Sequence, residues 1–386
     1  MRRRRSQSDK TVGWTPARWV IRLLIVAAIL GVVIFYFSRE GRRGAEPRRQ
    51  AKRLFENGIG FIKQGDPLAV KKGVDQFQLS ADTDPSFAPP NDFLADIYLD
   101  AKRYTQAKKA LLRLQQHNPQ TEHIYCRFAE TELLRSDYDA ARLHAEEEVS
   151  RAPNCFQGHY LLGSIMWSLF HEKIAVKQFR LALKIKPEDA NALLKLAEIV
   201  ITNMNYDEGE ELAKRLLALN PRTGDEAQRK AMKVMGHYYL GFCYERNNKI
   251  PDHLNKAKAS LLKAIQLNSK HDGTHHELGR VYMQMNRFEE ALNHLLKSTE
   301  LNPSYAAAHY DLAILYRRLG KLQEAKKAQA DYERIQELDE RERVLNARRG
   351  ADPNNPNIFR QLAEVKREKG KDAEADEYTR FAEYLE

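Results

Sequence analysis

The chain has 386 residues, a formal net charge of +10, 42% hydrophobic and 30% charged residues, and three cysteines. That length suits two conventional domains or one extended array, and the hydrophobic fraction is too high for a disordered chain. Cys126, Cys155 and Cys243, with no C-x-x-C among them, exclude a disulfide framework and a four-thiolate zinc site.

Residues 1–17 form a basic N-terminal tail with Arg2, Arg3, Arg4, Arg5 and Lys10. Residues 18–38 follow as an apolar run broken only by Arg18 and Arg22 near one end. The stretch from Trp19 to Phe37 would make a helix about 28 Å long, close to the hydrocarbon thickness of a bilayer. Trp14, Trp19 and Tyr36 stand where interfacial anchors belong. Phe37-Ser38-Arg39-Glu40 is not a small-x-small cleavage site, so the segment is expected to remain as a single transmembrane anchor rather than a removed signal peptide. A single run of this kind does not make a polytopic membrane protein. Residues 39–50 read as a basic linker. Positive charge on both sides leaves orientation open by the positive-inside count; the four-Arg cluster on a short tail favours a cytoplasmic N-terminus. The first 53 residues hold 14 Lys and Arg against 3 acids, so the remainder is close to neutral. The basicity thus fits a lipid surface, and no nucleic-acid partner is expected.

From residue 51 to 386 the sequence repeats. Pro85, Pro119, Pro153, Pro187 and Pro221 are 34 residues apart. A large and then a small residue recur as Leu94-Ala95, Phe128-Ala129, Leu162-Gly163, Leu196-Ala197, Leu240-Gly241, Leu278-Gly279, Leu312-Ala313 and Leu362-Ala363. Twelve residues after the small one comes another, as at Ala107, Ala141, Ala175, Gly209, Ala291, Ala325 and Ala375. Paired small residues let two antiparallel helices approach, and prolines such as Pro119 and Pro303 end each second helix. One pair cannot bury its apolar face alone, so the pairs must stack. The expected units are a degenerate cap at 51–87, then 88–121, 122–155, 156–189, 190–221, an insertion at 222–233, 234–271, 272–305, an extended unit at 306–349 and a charged, solvent-facing cap at 356–386.

These landmarks resemble the tetratricopeptide repeat family. The fullest match is the unit 272–305, with Leu278, Gly279, Tyr282, Phe288, Ala291, Leu295, Ser298 and Pro303 in place. The resemblance implies an all-α, right-handed solenoid of about eight to nine antiparallel helix pairs, here preceded by one transmembrane helix. It implies a fold far more than a function, because the landmarks are packing residues. In that family the first helix of each pair lines a concave groove. Its positions outside the packing pattern carry Tyr160, Trp167, Tyr238, Tyr239 and Phe242, and further on His276 and Arg280, which form the candidate partner-binding set. The lysine and asparagine clamp of chaperone-binding members is missing, the corresponding places holding Asp92, Asp96, Arg127, Glu130 and Lys195.

No catalytic signature is present. Gly58-Ile59-Gly60 lacks the remainder of a dinucleotide fingerprint, and His276-Glu277 lacks a second zincin histidine. His271, His275 and His276 are a metal-like cluster by spacing only, so no metal and no cofactor are expected. The expectation is a non-enzymatic, membrane-anchored scaffold holding a protein or peptide partner for assembly of an envelope or secretion complex, on the periplasmic side of a bacterial inner membrane. The alternatives are a cytosol-facing organellar import receptor and, thirdly, a metal-dependent enzyme.

Overall fold

The computed structural model describes residues 46–219, 226–352 and 355–385. Among them are eighteen α-helices and no strand. In chain order they are α1 (Glu46–Ile62), α2 (Pro67–Thr83), α3 (Ala88–Asp100), α4 (Tyr104–His117), α5 (Ile124–Leu134), α6 (Tyr138–Arg151), α7 (Phe156–Ser168), α8 (Glu172–Ile185) and α9 (Ala190–Thr202), followed by α10 (Tyr206–Ala218), α11 (Glu226–Arg246), α12 (His253–Leu267), α13 (Asp272–Gln284), α14 (Phe288–Leu301), α15 (Ala306–Arg318), α16 (Leu322–Ala351), α17 (Pro356–Glu368) and α18 (Asp372–Leu385). The apolar run 18–38 lies outside the described residues; within them, no helix is long and apolar enough to cross a membrane.

Local chemistry sets the helix ends. Asp66 accepts from the Leu68 and Ala69 amides with Pro67 in the first turn, and Asp137, Asp189 and Asn205 cap α6, α9 and α10 in the same way. Within pairs, first helices end on a left-handed residue: Phe170, Met204, Asn286, Gly320 and Gly370 all have φ between 57° and 73°. The chain then closes with a bond back five residues, as in Arg287 N–H to Tyr282 O at 2.9 Å. Gly320 and Gly370 adopt this conformation without steric cost.

The chain divides into two compact units, one ending at Arg135 and one beginning at Ser136. The first unit is centred on Phe55, whose ring lies 5.3 Å from Phe77, 5.6 Å from Phe87 and 5.2 Å from Phe93. Its α1 begins at Glu46, so residues 46–50 are helix and not linker. Arg48 pairs with Asp84 at 3.0 Å and lies 4.7 Å over the Phe87 ring.

In the second unit the close helix crossings carry the fold. A Cβ on Gly279 would come within 2.7 Å of Leu295, and one on Gly163 within 3.2 Å of Phe179. Around Gly279, Leu278, Val281, Leu295, Leu312 and Leu315 form a continuous core. Residues 226–233, assigned from sequence to an insertion, are the first turns of a lengthened α11. At the far end α16 runs for 30 residues, and α17 packs on its distal half through Leu338, Leu345, Ile358, Leu362 and Val365. The terminal pair is not simply a solvent-facing cap. Lys366 and Lys369 are buried, with Lys366 at 2.8 Å from Glu342 and 2.6 Å from Glu374, and Lys369 at 2.6 Å from Asp339.

Candidate functional site

On α7, Tyr160, Ser164 and Trp167 recur at helical spacing along one face, and all three are half-buried. Tyr160 stacks on Phe156 at 5.9 Å and meets the Phe179 ring edge-on at 5.8 Å. Burial first, and then the Asp189 charge, push its phenol above the ordinary range. It is neutral at physiological pH and can donate one hydrogen bond. Trp167 presents a large ring with one N–H donor, the combination that anchors protein interfaces.

On α11, Tyr238 and Phe242 are half-buried, their rings 6.3 Å apart, and the Arg246 guanidinium lies 3.4 Å over Phe242. Tyr238 also meets the His271 ring edge-on at 5.1 Å. Tyr239 is different: it is only 8% exposed and belongs to the core. Tyr239 is therefore removed from the set of freely presented aromatics that the sequence suggested.

Beyond Phe242 the face becomes an ionic network that sequence reasoning missed. Arg246 bonds Glu277 at 2.8 Å and stands 2.8 Å from Glu245; Arg280 reaches Glu245 at 3.1 Å, and Gln284 donates to the same carboxylate. His276 Nε2 lies 2.8 Å from Asp311, and its Nδ1 lies 3.2 Å from the Tyr305 hydroxyl. The side chains of Glu245 and Glu277 are 1% and 2% exposed. Three carboxylates meet only two guanidiniums, so one further cation balances the network. His276 supplies it. Burial works against its protonation, but hydrogen bonds to Asp311 and Glu277 and their charges outweigh burial and raise its pKa. Hydrogen bonds and charges from His276 and Arg246 hold Glu277 well below the usual carboxylate range, against its own burial. His276 is thus an internal strut, and Arg280 is bound to Glu245; both were assigned from sequence to partner contact.

The three clustered histidines do not converge. His271 Nδ1 caps α13 through Thr274, His275 meets His294, and His276 meets Asp311. All three cysteines are buried, and burial pushes the Cys243 thiol up to about 12, which leaves it protonated and unreactive. In the first unit, Arg127 of α5 pairs with Asp92 and Asp96 of α3. Asp96 is pushed up by burial and by Asp92 despite Arg127, and Glu130 by burial and Asp96.

Comparison with known proteins gives a family match at the second unit's core. Residues 279–320 match the model of the TPR repeat. A curated relative, the protein CTR9 homolog of Arabidopsis thaliana, is 22% identical over 172 residues, which are 43% of this chain and 16% of its own; the chain thus spans a small part of that relative. Among solved structures, pilF of Pseudomonas aeruginosa shares 14% identity with TM-score 0.45, covering 56% of this chain and 97% of that one. YrrB, described as a TPR protein with an unusual peptide-binding site, shares 16% with TM-score 0.42, covering 52% and 97%. A monomeric IFIT1 mutant with Gppp-AAAA shares 16% with TM-score 0.42, covering 88% and 95%.

Proposed function

We propose, for a chain whose helix pairs are of the tetratricopeptide type, that it is a non-enzymatic scaffold which docks a protein or peptide partner on the first-helix face of its second unit and is held at a bilayer by residues 18–38. The observation that carries the binding reading is the set Tyr160, Trp167 and Phe242. These are large aromatic side chains left half-buried, not sealed in the core, on the first helices α7 and α11 that the packing landmarks already stabilise without them. The adjoining ionic network ties the neighbouring first helices together through Arg246, Arg280 and His276. Such a face offers rigid rings and few ordering costs.

The anchored role is the assembly of an envelope or secretion complex, with the repeats on the periplasmic side of a bacterial inner membrane. The sequence of residues 18–38 supports the anchor, and the Arg2 to Arg5 cluster supports the orientation. Two experiments test the proposal. Substituting Tyr160 and Trp167 with Ala should weaken capture of the native partner about thirtyfold or more while helical content stays unchanged; undiminished capture by both variants would remove this face. A reporter fused after residue 386 should be active on the periplasmic side, and a cytosolic signal would favour the import-receptor topology.

A further inference from the structure

Four first helices of the second unit carry histidine three residues before the large-small landmark, His237 on α11 among them; three of the four share a further contact, namely His159 on α7, His275 on α13 and His309 on α15. Each places Nε2 against the backbone carbonyl six residues upstream, at 2.9 Å from Pro153, 3.1 Å from Ser269 and 3.0 Å from Pro303. A carbonyl only accepts, so each neutral ring has its proton on Nε2 and a bare lone pair on Nδ1. For His159, Nδ1 stands 2.7 Å from Gln178 Oε1, 19 residues on; with the lone pair on Nδ1, the amide must be turned about so that its N–H donates there. For His275 the residue 19 on is His294, and the two Nδ1 atoms are 3.1 Å apart.

The tautomers follow. His294 must donate from Nδ1–H, since His275 Nδ1 can only accept. His294 stacks on the Tyr282 ring at 5.6 Å with planes 13° apart, which fixes its orientation. A first added proton can enter at Nε2 of His294 and leave the bond intact, at the cost of a charge in a half-buried place. A second must go to Nδ1 of His275, which sets two N–H groups face to face and two positive charges about 3 Å apart. The other charged and titratable neighbours are His271 and Asp272 at the start of α13 and Lys297 and Glu300 on α14; Lys297 opposes a proton on His275, whereas Asp272 and Glu300 favour one.

We propose that the His275–His294 pair is a proton-sensitive latch between α13 and α14, closed while both rings are neutral and opened by the uptake of two protons on mild acidification. The inference concerns the closure of one helix pair and does not depend on what the second unit binds. Burial lowers the pKa of both rings, with Lys297 adding to it at His275 and His275 adding to it at His294, which falls to about 4. The sign is therefore fixed. An opened pair titrates near the ordinary histidine value and binds more protons than the closed one, so closure is fully favoured at neutral pH and weakens as pH falls through about 6.5 toward 4.

Hydrogen exchange of the full chain, corrected for intrinsic rates, tests this between pH 7.5 and 4.5. The His294→Gln variant reproduces the Gln178 arrangement and so keeps the bond without the second titrating ring. His275→Phe combined with it removes both rings, Phe359 already filling the equivalent place on α17. In the unmodified protein, protection across residues 272–301 should fall by up to about a hundredfold per pH unit below pH 6 beyond what the double variant shows, since each proton taken up on opening contributes up to tenfold. His294→Gln should remove about tenfold of that slope. His271 and His276 are present in all three proteins and cancel in the comparison. Equal slopes in the unmodified protein and the double variant, with helical content matched at pH 7.5, would overturn the proposal.

Discussion

The first-helix faces of the two units use one spacing to different ends. In the first unit, Arg127 reaches Asp92 and Asp96, 35 and 31 residues away. In the second, Arg280 reaches Glu245 and His276 reaches Asp311 across 35 residues, and Arg246 reaches Glu277 across 31. Where the repeat step is 34, one more or three fewer places two residues opposite each other on neighbouring first helices; from Gly241 to Gly279 the step is 38, and there the same separations of 35 and 31 are three and seven fewer. Burial then decides what the pairing does. Asp92 and Asp96 are about half exposed, where water screens their attraction, whereas Glu245 and Glu277 are sealed. The spacing chooses the partners and the depth chooses the magnitude.

The largest break in that contrast is expected from Glu277→Ala. It leaves Arg246 and His276 buried against one fewer carboxylate, a type of loss that costs about 3–5 kcal/mol. Denaturant unfolding of the full chain should show it in the second unit, and a loss under about 1 kcal/mol would mean that water enters the network freely. Gly279→Leu comes next. The crossing with Leu295 leaves no room for a Cβ, and overpacking of this kind costs about 1–3 kcal/mol or more. Hydrogen exchange should place the damage in α13 and α14 and their neighbours, because a stacked array transmits strain mainly to adjacent pairs.

A smaller effect sharpens the comparison through pH. The folded pKa of His276 is raised, so its contribution is complete below about 6.5 and is lost as pH rises through the folded value. Asp311→Asn removes its principal partner, and unfolding measured from pH 6 to 9 should lose up to about 1.4 kcal/mol per pH unit of alkaline dependence. An unchanged alkaline limb would show that His276 is neutral in the network. The smallest effect is expected in the first unit. Asp96→Asn should change stability by less than about 1 kcal/mol, and the change should vanish in high salt.

Packing was the legible part of this sequence. Gly163, Gly279 and the recurrent alanines mark helix crossings because nothing larger fits there, and the 34-residue proline period marks where second helices stop. The face was less legible. A list of positions outside the packing pattern does not say which of them point at each other, so Tyr239 and His276 looked available although one is core and the other a strut. The missing signal was pairwise: opposite charges 31 or 35 residues apart. The same holds for the histidines. Their spacing along one helix is metal-like and says nothing of what each ring meets: His271 caps its own helix through Thr274, His276 meets Asp311, and the partner of His275 stands 19 residues on, where Gln178 stands for His159. Lys366 and Lys369 misled for another reason, since a charged terminal helix reads as solvent-facing until the length of α16 brings Asp339 and Glu342 beneath it.

The central claim is that the aromatic first-helix face of the second unit is where a partner docks. Its most direct test is site-specific photocrosslinking in cells, with a benzophenone amino acid placed at Tyr160, Trp167 or Phe242 of the full-length chain. Leu143 and Leu262, exposed on second helices, serve as controls. One common adduct is expected from the first three positions and none from the controls. A common adduct from Leu143 or Leu262, with Trp167 and Phe242 silent, would contradict that claim and move docking to the second-helix face.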